Sequence, residues 1–159
     1  MHIQIITVGK IKENYIKQGI KQFEKRLRPY CKLAFAEVND EQAPEELSNK
    51  ELNLIKQIEG ERILKKVKPN HYVIALDING ESWSSKQFAK EMELLGIEGK
   101  SRVSFVIGGS NGLSADVLNR ADQILSFSKM TFPHQLMKLI LLEQIYRGYK
   151  IQKNEPYHK

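Results

Sequence analysis

The sequence predicts an α/β domain: a mostly parallel sheet flanked by helices. Two observations carry that reading. Short apolar runs alternate with helical patterns along the whole chain, and alternation of this kind builds a parallel sheet between helix layers. Two of the runs, YVIAL at residues 72–76 and RVSFVI at 102–107, are dominated by apolar residues, as in strands buried on both faces. The 159 residues suit one domain, 1–159, and no repeat, low-complexity stretch or linker divides them.

The elements follow in order. Residues 2–8 are rich in β-branched side chains and stop at Gly9, which reads as a strand. Residues 15–28 place Ile16, Ile20, Phe23 and Leu27 on one helical face, Lys17, Lys21, Lys25 and Arg28 on the next, and end at Pro29. A short strand is expected at 33–38. A helix is expected over 44–67, with Pro44 near its first turn and Gly60 weakening its middle. Lys68-Pro69-Asn70 is a turn. The strand at 72–76 comes next, then a helix at 84–95 with Phe88 and Met92 inward. The strand at 102–107, a short helix at 114–121, a strand at 123–127 and a final helix over 134–152 beside Pro133 complete the pattern.

Composition excludes several classes. The apolar fraction of 41% is enough for a core, so global disorder is excluded. No apolar run approaches the ~20 residues of a membrane-spanning helix. The opening MHIQIITVGK has neither a basic region nor a long apolar stretch, so a secretory signal is not expected, and a cytoplasmic protein is. The single Cys31 excludes an internal disulfide framework, and no His pair has metal-ligand spacing, so no metal is expected.

The net charge of +6 is unevenly spread. Residues 10–32 carry eight basic and two acidic side chains, residues 37–51 six acidic and one basic, and residues 129–159 six basic and two acidic. If the two basic stretches meet, they form an electrostatic footprint for nucleic acid; a solvated lysine face is the competing explanation.

Ligands of open parallel sheets bind beyond the carboxyl ends of the strands. Three segments lie there: residues 76–81 (LDINGE), 108–113 (GGSNGL) and 127–133 (FSKMTFP). Glycines in the second let backbone N–H groups approach a ligand, and the helix that follows adds positive dipole charge. A nucleoside-like cofactor fits, as does a ligand-free turn, because the segment is neither G-x-G-x-x-G nor a Walker A loop. Asp77 suits a ribose hydroxyl or a turn cap. Met130 and Phe132 suit a cavity wall or the core. His134 suits a helix cap or catalysis, and Trp83 a packing anchor.

The last helix is apolar over a wide arc (Leu136, Leu139, Ile140, Leu142, Ile145, Tyr146, Tyr149), which predicts packing on two sides: the sheet, and a second subunit. Glu143 and Arg147 are four apart, the spacing of a helix-surface ion pair. The polar tail ends in Tyr157, His158 and Lys159. It either frays or folds back over a site, where an aromatic, an imidazole and cations suit an RNA base and its phosphates.

The segments VIALDINGE (73–81), VIGGSNGL (106–113), LSFSKMTFPHQLMKLILLEQIYRGYKI (125–151) and NEPYHK (154–159) resemble the RlmH (YbeA-like) family of SPOUT-class methyltransferases, and the resemblance spans the chain. It implies a SPOUT-type α/β fold with a C-terminal trefoil knot, a rarity among folds. It implies a homodimer packed partly through the last helix. It implies S-adenosyl-L-methionine as cofactor and methylation of N3 of a pseudouridine in large-subunit (23S) ribosomal RNA, on the ribosome. Carried over by residue, Leu76, Gly108, Phe127, Ser128, Lys129, Met130, Thr131 and Phe132 bind the cofactor. Tyr157, His158 and Arg147 are catalytic candidates, and Lys159 contacts RNA. Two rivals stand against this reading. A nicotinamide-dependent oxidoreductase needs G-x-G-x-x-G after the first strand, where Gly9-Lys10-Ile11-Lys12 stands instead. A ribosome-binding factor without a cofactor leaves the glycine loop unexplained.

Overall fold

The structure is a computed structural model that describes all 159 residues. Its elements are β1 (His2–Val8), α1 (Asn14–Leu27), β2 (Lys32–Val38), α2 (Asn49–Lys66), β3 (Tyr72–Ser82), α3 (Ser85–Ile97), β4 (Arg102–Ile107), α4 (Ala115–Arg120), β5 (Gln123–Ser126) and α5 (His134–Gln152). The strands form one sheet in the order β2-β1-β4-β3-β5, and every neighbouring pair is parallel.

Alternation along each strand divides the core in two. Ile3, Ile5, Ile74, Val103, Phe105 and Ile107 face one side with α1, α3 and α5. Ile6, Val8, Val73, Ala75 and Val106 face the other with α2 and α4. Both faces are covered, so the central runs have no polar side to show. Each large side chain buried this way contributes about 2–3 kcal/mol. Phe105, fully buried on β4, packs against Phe88 of α3. No helix is long and apolar enough to cross a membrane.

The structure revises several expectations. The helix expected from Pro44 starts at Asn49. Ser48 caps it: its hydroxyl accepts from the Glu51 amide and donates to the Glu51 carboxylate, a side-chain cap that outranks a proline one turn earlier. Gly60 is a packing requirement rather than a weak point. A Cβ there would lie 2.3 Å from the Ser114 hydroxyl, so glycine lets α2 meet the start of α4. β3 does not stop at Leu76 but runs on to Ser82, with a register shift against β5 between Leu76 and Glu81. Phe127 lies just past β5 rather than within it.

The wide apolar arc of α5 has a partly intramolecular explanation. Leu141, Leu142 and Ile145 are buried on the sheet side, while α1 and α3 flank the helix. Leu139 meets α1 at Gly19, and Tyr146 packs against Phe23 and Tyr30. The two basic stretches do meet, because α1 packs along α5.

Candidate active site

All strands run the same way, so the ends of β1, β3, β4 and β5 deliver their loops to one edge. There the loops after β3, β4 and β5 line a cavity of about 370 Å³, within the range for small-molecule sites. Ile107 and Gly108 leave β4, and Gly109 to Gly112 form a tight turn closed by the Gly112 amide donating to the Gly109 carbonyl (3.1 Å). Gly112 has φ +85, which side chains rarely adopt. A Cβ on Gly108 would sit 3.0 Å from the Leu113 side chain, so this wall is tight.

From β3 come Leu76, Asp77, Ile78 and Asn79. Asp77 takes the turn role: its carboxylate accepts from the Asn79 amide at 3.0 Å while the residue still lines the cavity. After β5 come Phe127, Ser128, Met130, Thr131 and Phe132. This segment is braced from within. The Ser126 hydroxyl donates to the Ser128 carbonyl, and the Met130 amide donates to the Ser128 hydroxyl. Of the eight cofactor candidates, seven line this one cavity. Lys129 does not; it points to solvent within the same loop.

Lys56, His134 and Met137 also line the cavity, and sequence reasoning did not place them there. His134 opens α5 but caps nothing, since the cap position belongs to Pro133. Burial holds its imidazole below the usual range, against a smaller opposing pull from Asp40. The adjacent Pro133 was the available signal. For Lys56, on the outer run of α2, the sequence holds none.

The tail folds back onto α5. Tyr157 stacks edge-on against Tyr146 (centroids 4.9 Å apart), and its hydroxyl donates to Glu143 at 3.1 Å. Arg147 pairs with Glu143, lies 4.8 Å over the Tyr157 ring, and donates to His158 Nδ1 at 3.0 Å. Arginine only donates, so Nδ1 of His158 accepts and the proton of the neutral ring sits on Nε2. Burial and the Glu143 carboxylate push the Tyr157 phenol above its usual range, which keeps it a hydrogen-bond donor at neutral pH. Of the two expectations for Arg147, the helix ion pair is met, and the same side chain also holds the tail through His158. Lys159 is exposed at the end of the chain.

The two groups are separated. At about 1.5 Å per residue, Arg147 stands roughly 20 Å along α5 from His134 at the cavity. One protomer therefore assembles both but does not bring them into contact.

The cavity fits an aromatic ring with polar edges. Leu76, Ile107, Leu113, Leu125, Phe127 and Phe132 supply apolar walls, and the glycines at 108, 109 and 112 leave backbone donors and acceptors open beside Ser110 and Asn111. Comparison with known proteins agrees. A family model described as "Predicted SPOUT methyltransferase" matches residues 1–158.

The chain belongs to the SPOUT methyltransferase family.

Full-length relatives bear the name "Ribosomal RNA large subunit methyltransferase H". Those of Exiguobacterium sp. (strain ATCC BAA-1283 / AT1b) and Clostridioides difficile (strain 630) are each 60% identical over 159 residues, covering all of both chains. The Enterococcus faecalis (strain ATCC 700802 / V583) relative is 56% identical over the same length. Among solved structures, a probable methylase family protein from Haemophilus influenzae Rd KW20 matches with TM-score 0.51 at 12% identity, over 96% of this chain and 66% of that one. A putative methylase family protein from Neisseria gonorrhoeae matches with TM-score 0.51 at 11% identity, over 99% and 85%. At such identities these two share the fold alone.

Proposed function

We propose that this SPOUT methyltransferase uses S-adenosyl-L-methionine to methylate N3 of a pseudouridine in 23S ribosomal RNA, on the ribosome in the cytoplasm, as a homodimer. The observation that carries the reading is the single cavity, in which the loops after β3, β4 and β5 converge and seven of the eight expected cofactor residues meet. The names of the 60%-identical relatives support the ribosomal substrate.

The bound cofactor supplies an electrophilic methyl group on a sulfonium; the N3–CH3 bond forms as the S–CH3 bond breaks, and S-adenosylhomocysteine departs. The chain's share is alignment and proton handling. Phe127, Phe132 and Leu76 would hold the cofactor's ring, and the backbone of the glycine turn would meet its polar edge. The N3 proton has to leave. It passes to water, while His158, turned by Arg147, and Tyr157, held by Glu143, present donors to the deprotonated base, with Arg147 and Lys159 balancing its negative charge. The separation of roughly 20 Å along α5 supports the dimer: a two-fold pairing across α5 carries each tail toward the partner's cavity. The trefoil knot belongs to the same reading, because the return from edge strand β5 to α5 passes beside the glycine loop.

Calorimetric titration with S-adenosyl-L-methionine, with NADH as control, tests the cofactor. Methyl transfer to ribosomes lacking the modification, read by mass spectrometry of the RNA, tests the substrate. Binding of the methyl donor alone and transfer to ribosomes support the reading. No donor binding with or without ribosomes overturns it in favour of a cofactor-free ribosome-binding factor.

A further inference from the structure

At the opposite edge of the sheet, the amino ends of the strands line up a row of basic side chains. His2 is in register with Lys32 on one side and Arg102 on the other. His71 precedes the Tyr72–Val103 pair and so stands level with Arg102. Register partners in a parallel sheet point to the same face. Four basic groups therefore cross four adjacent strands at about 4.8 Å steps. With Lys68 of the preceding turn, they border a concavity of about 470 Å³. The chain's ion pairs all lie elsewhere, so none of these five groups has an acidic partner within 4.0 Å.

Like charges placed side by side on a sheet repel. The two imidazoles register it. Desolvation and then Lys32, the N-terminal ammonium, Arg102 and Lys68 hold His2 low. Desolvation and then Lys68, Arg102, His2 and Arg120 hold His71 low. One row further in, the sheet fixes an orientation: Ser104, fully buried, donates to Gln4 Oε1 (2.9 Å) and accepts from His71 Nδ1 (2.8 Å). The His71 ring is thereby held in place through Nδ1.

We propose that this row is a docking site for the phosphodiester backbone of the RNA substrate, remote from the cofactor cavity. It rests on the ribosomal-RNA reading above for the identity of its polyanion. The geometry favours an extended anion over a single phosphate, because the row spans four strands with no buried charged group at its centre. It would hold the RNA by charge without reading sequence.

The test is Lys32→Gln/Arg102→Gln in the full-length protein, against Lys50→Gln/Lys86→Gln as a charge-matched control. Thermal melting and S-adenosyl-L-methionine titration confirm that each variant is folded. Affinity for large ribosomal subunits is measured from low to moderate salt, together with methyl transfer. Loss of roughly tenfold in affinity is expected for the row variant, with a salt slope shallower by about 2 at most, KM raised and kcat unchanged. Little change is expected in the control. Affinity and slope equal to wild type, or equal losses in both variants, overturn the docking site. If wild type binds subunits without methylating them, the proposed reaction falls while the slope comparison still decides the row. If wild type neither binds nor methylates, both fall.

Discussion

The cavity and the tail cluster stand at opposite ends of one helix, and they are made differently. At the start of α5, His134 and Met137 close a cavity whose other walls are loops from three strands. Twelve or so residues on, Glu143, Tyr146 and Arg147 carry a cluster made of side chains alone. The first is built largely from backbone anchored at the strand ends. The second depends on a few hydrogen bonds and stacked rings at the chain terminus, so it is adjustable. Under the proposed function, one helix links a pocket for the cofactor to a tail contact for the RNA.

The comparison is broken most severely at the cavity. Gly108→Val forces side-chain atoms against Leu113 and the Gly112 carbonyl, and should weaken donor binding by more than about 100-fold, together with turnover. Calorimetry beside a turnover assay reads both; unaltered donor affinity would show that the glycine wall is not in contact with it. At the tail, His158→Ala should lower turnover by about 10²-fold while leaving donor affinity unchanged. Unchanged turnover removes His158 from the mechanism.

Mixing the two inactive variants sharpens the contrast. If each tail serves the partner's cavity, random re-pairing restores about a quarter of wild-type turnover, since half the dimers hold one intact site. No recovery would mean that cavity and tail must belong to one chain. Glu143→Gln is milder. It removes the charge that pairs with Arg147 and receives the Tyr157 hydroxyl, so stability should fall by about 1 kcal/mol and turnover severalfold. Thermal melting would show whether the tail is anchored there.

The smallest effect is acid sensitivity, to which His134 contributes at the cavity end. Burial lowers His134 in the folded chain, so the unfolded chain binds the proton more readily. The stability it contributes is complete above the unfolded value of about 6.5 and declines as pH falls below it. His2 and His71 act in the same direction. Melting temperature should therefore fall between pH 7.5 and 5.5, and His134→Gln should flatten part of that fall. An unchanged profile in the variant would mean that His134 titrates normally.

Much of this was legible in the residues. The buried strands announced themselves because a strand covered on both faces has no polar side, and the strand-end rule located all three cavity loops. The boundaries near residue 48 and beyond Leu76 were not legible from periodicity. The Ser48 cap overrode a proline at the first, and pairing with β5 prolonged the strand at the second. Lys56 joined the cavity only because α2 crosses behind the glycine turn, and no local pattern encodes that crossing.

Local chemistry and hydropathy alone determined the α/β class, the order of elements, the glycine turn and the basic and acidic blocks, because each depends on neighbours within a few residues. The tertiary structure decided the strand order β2-β1-β4-β3-β5, which sets which loops share an edge and which cations share a row. It also decided the distance between cavity and tail. Such facts join residues up to a hundred positions apart, and they follow from packing two helix layers onto one sheet, which no window along the sequence contains.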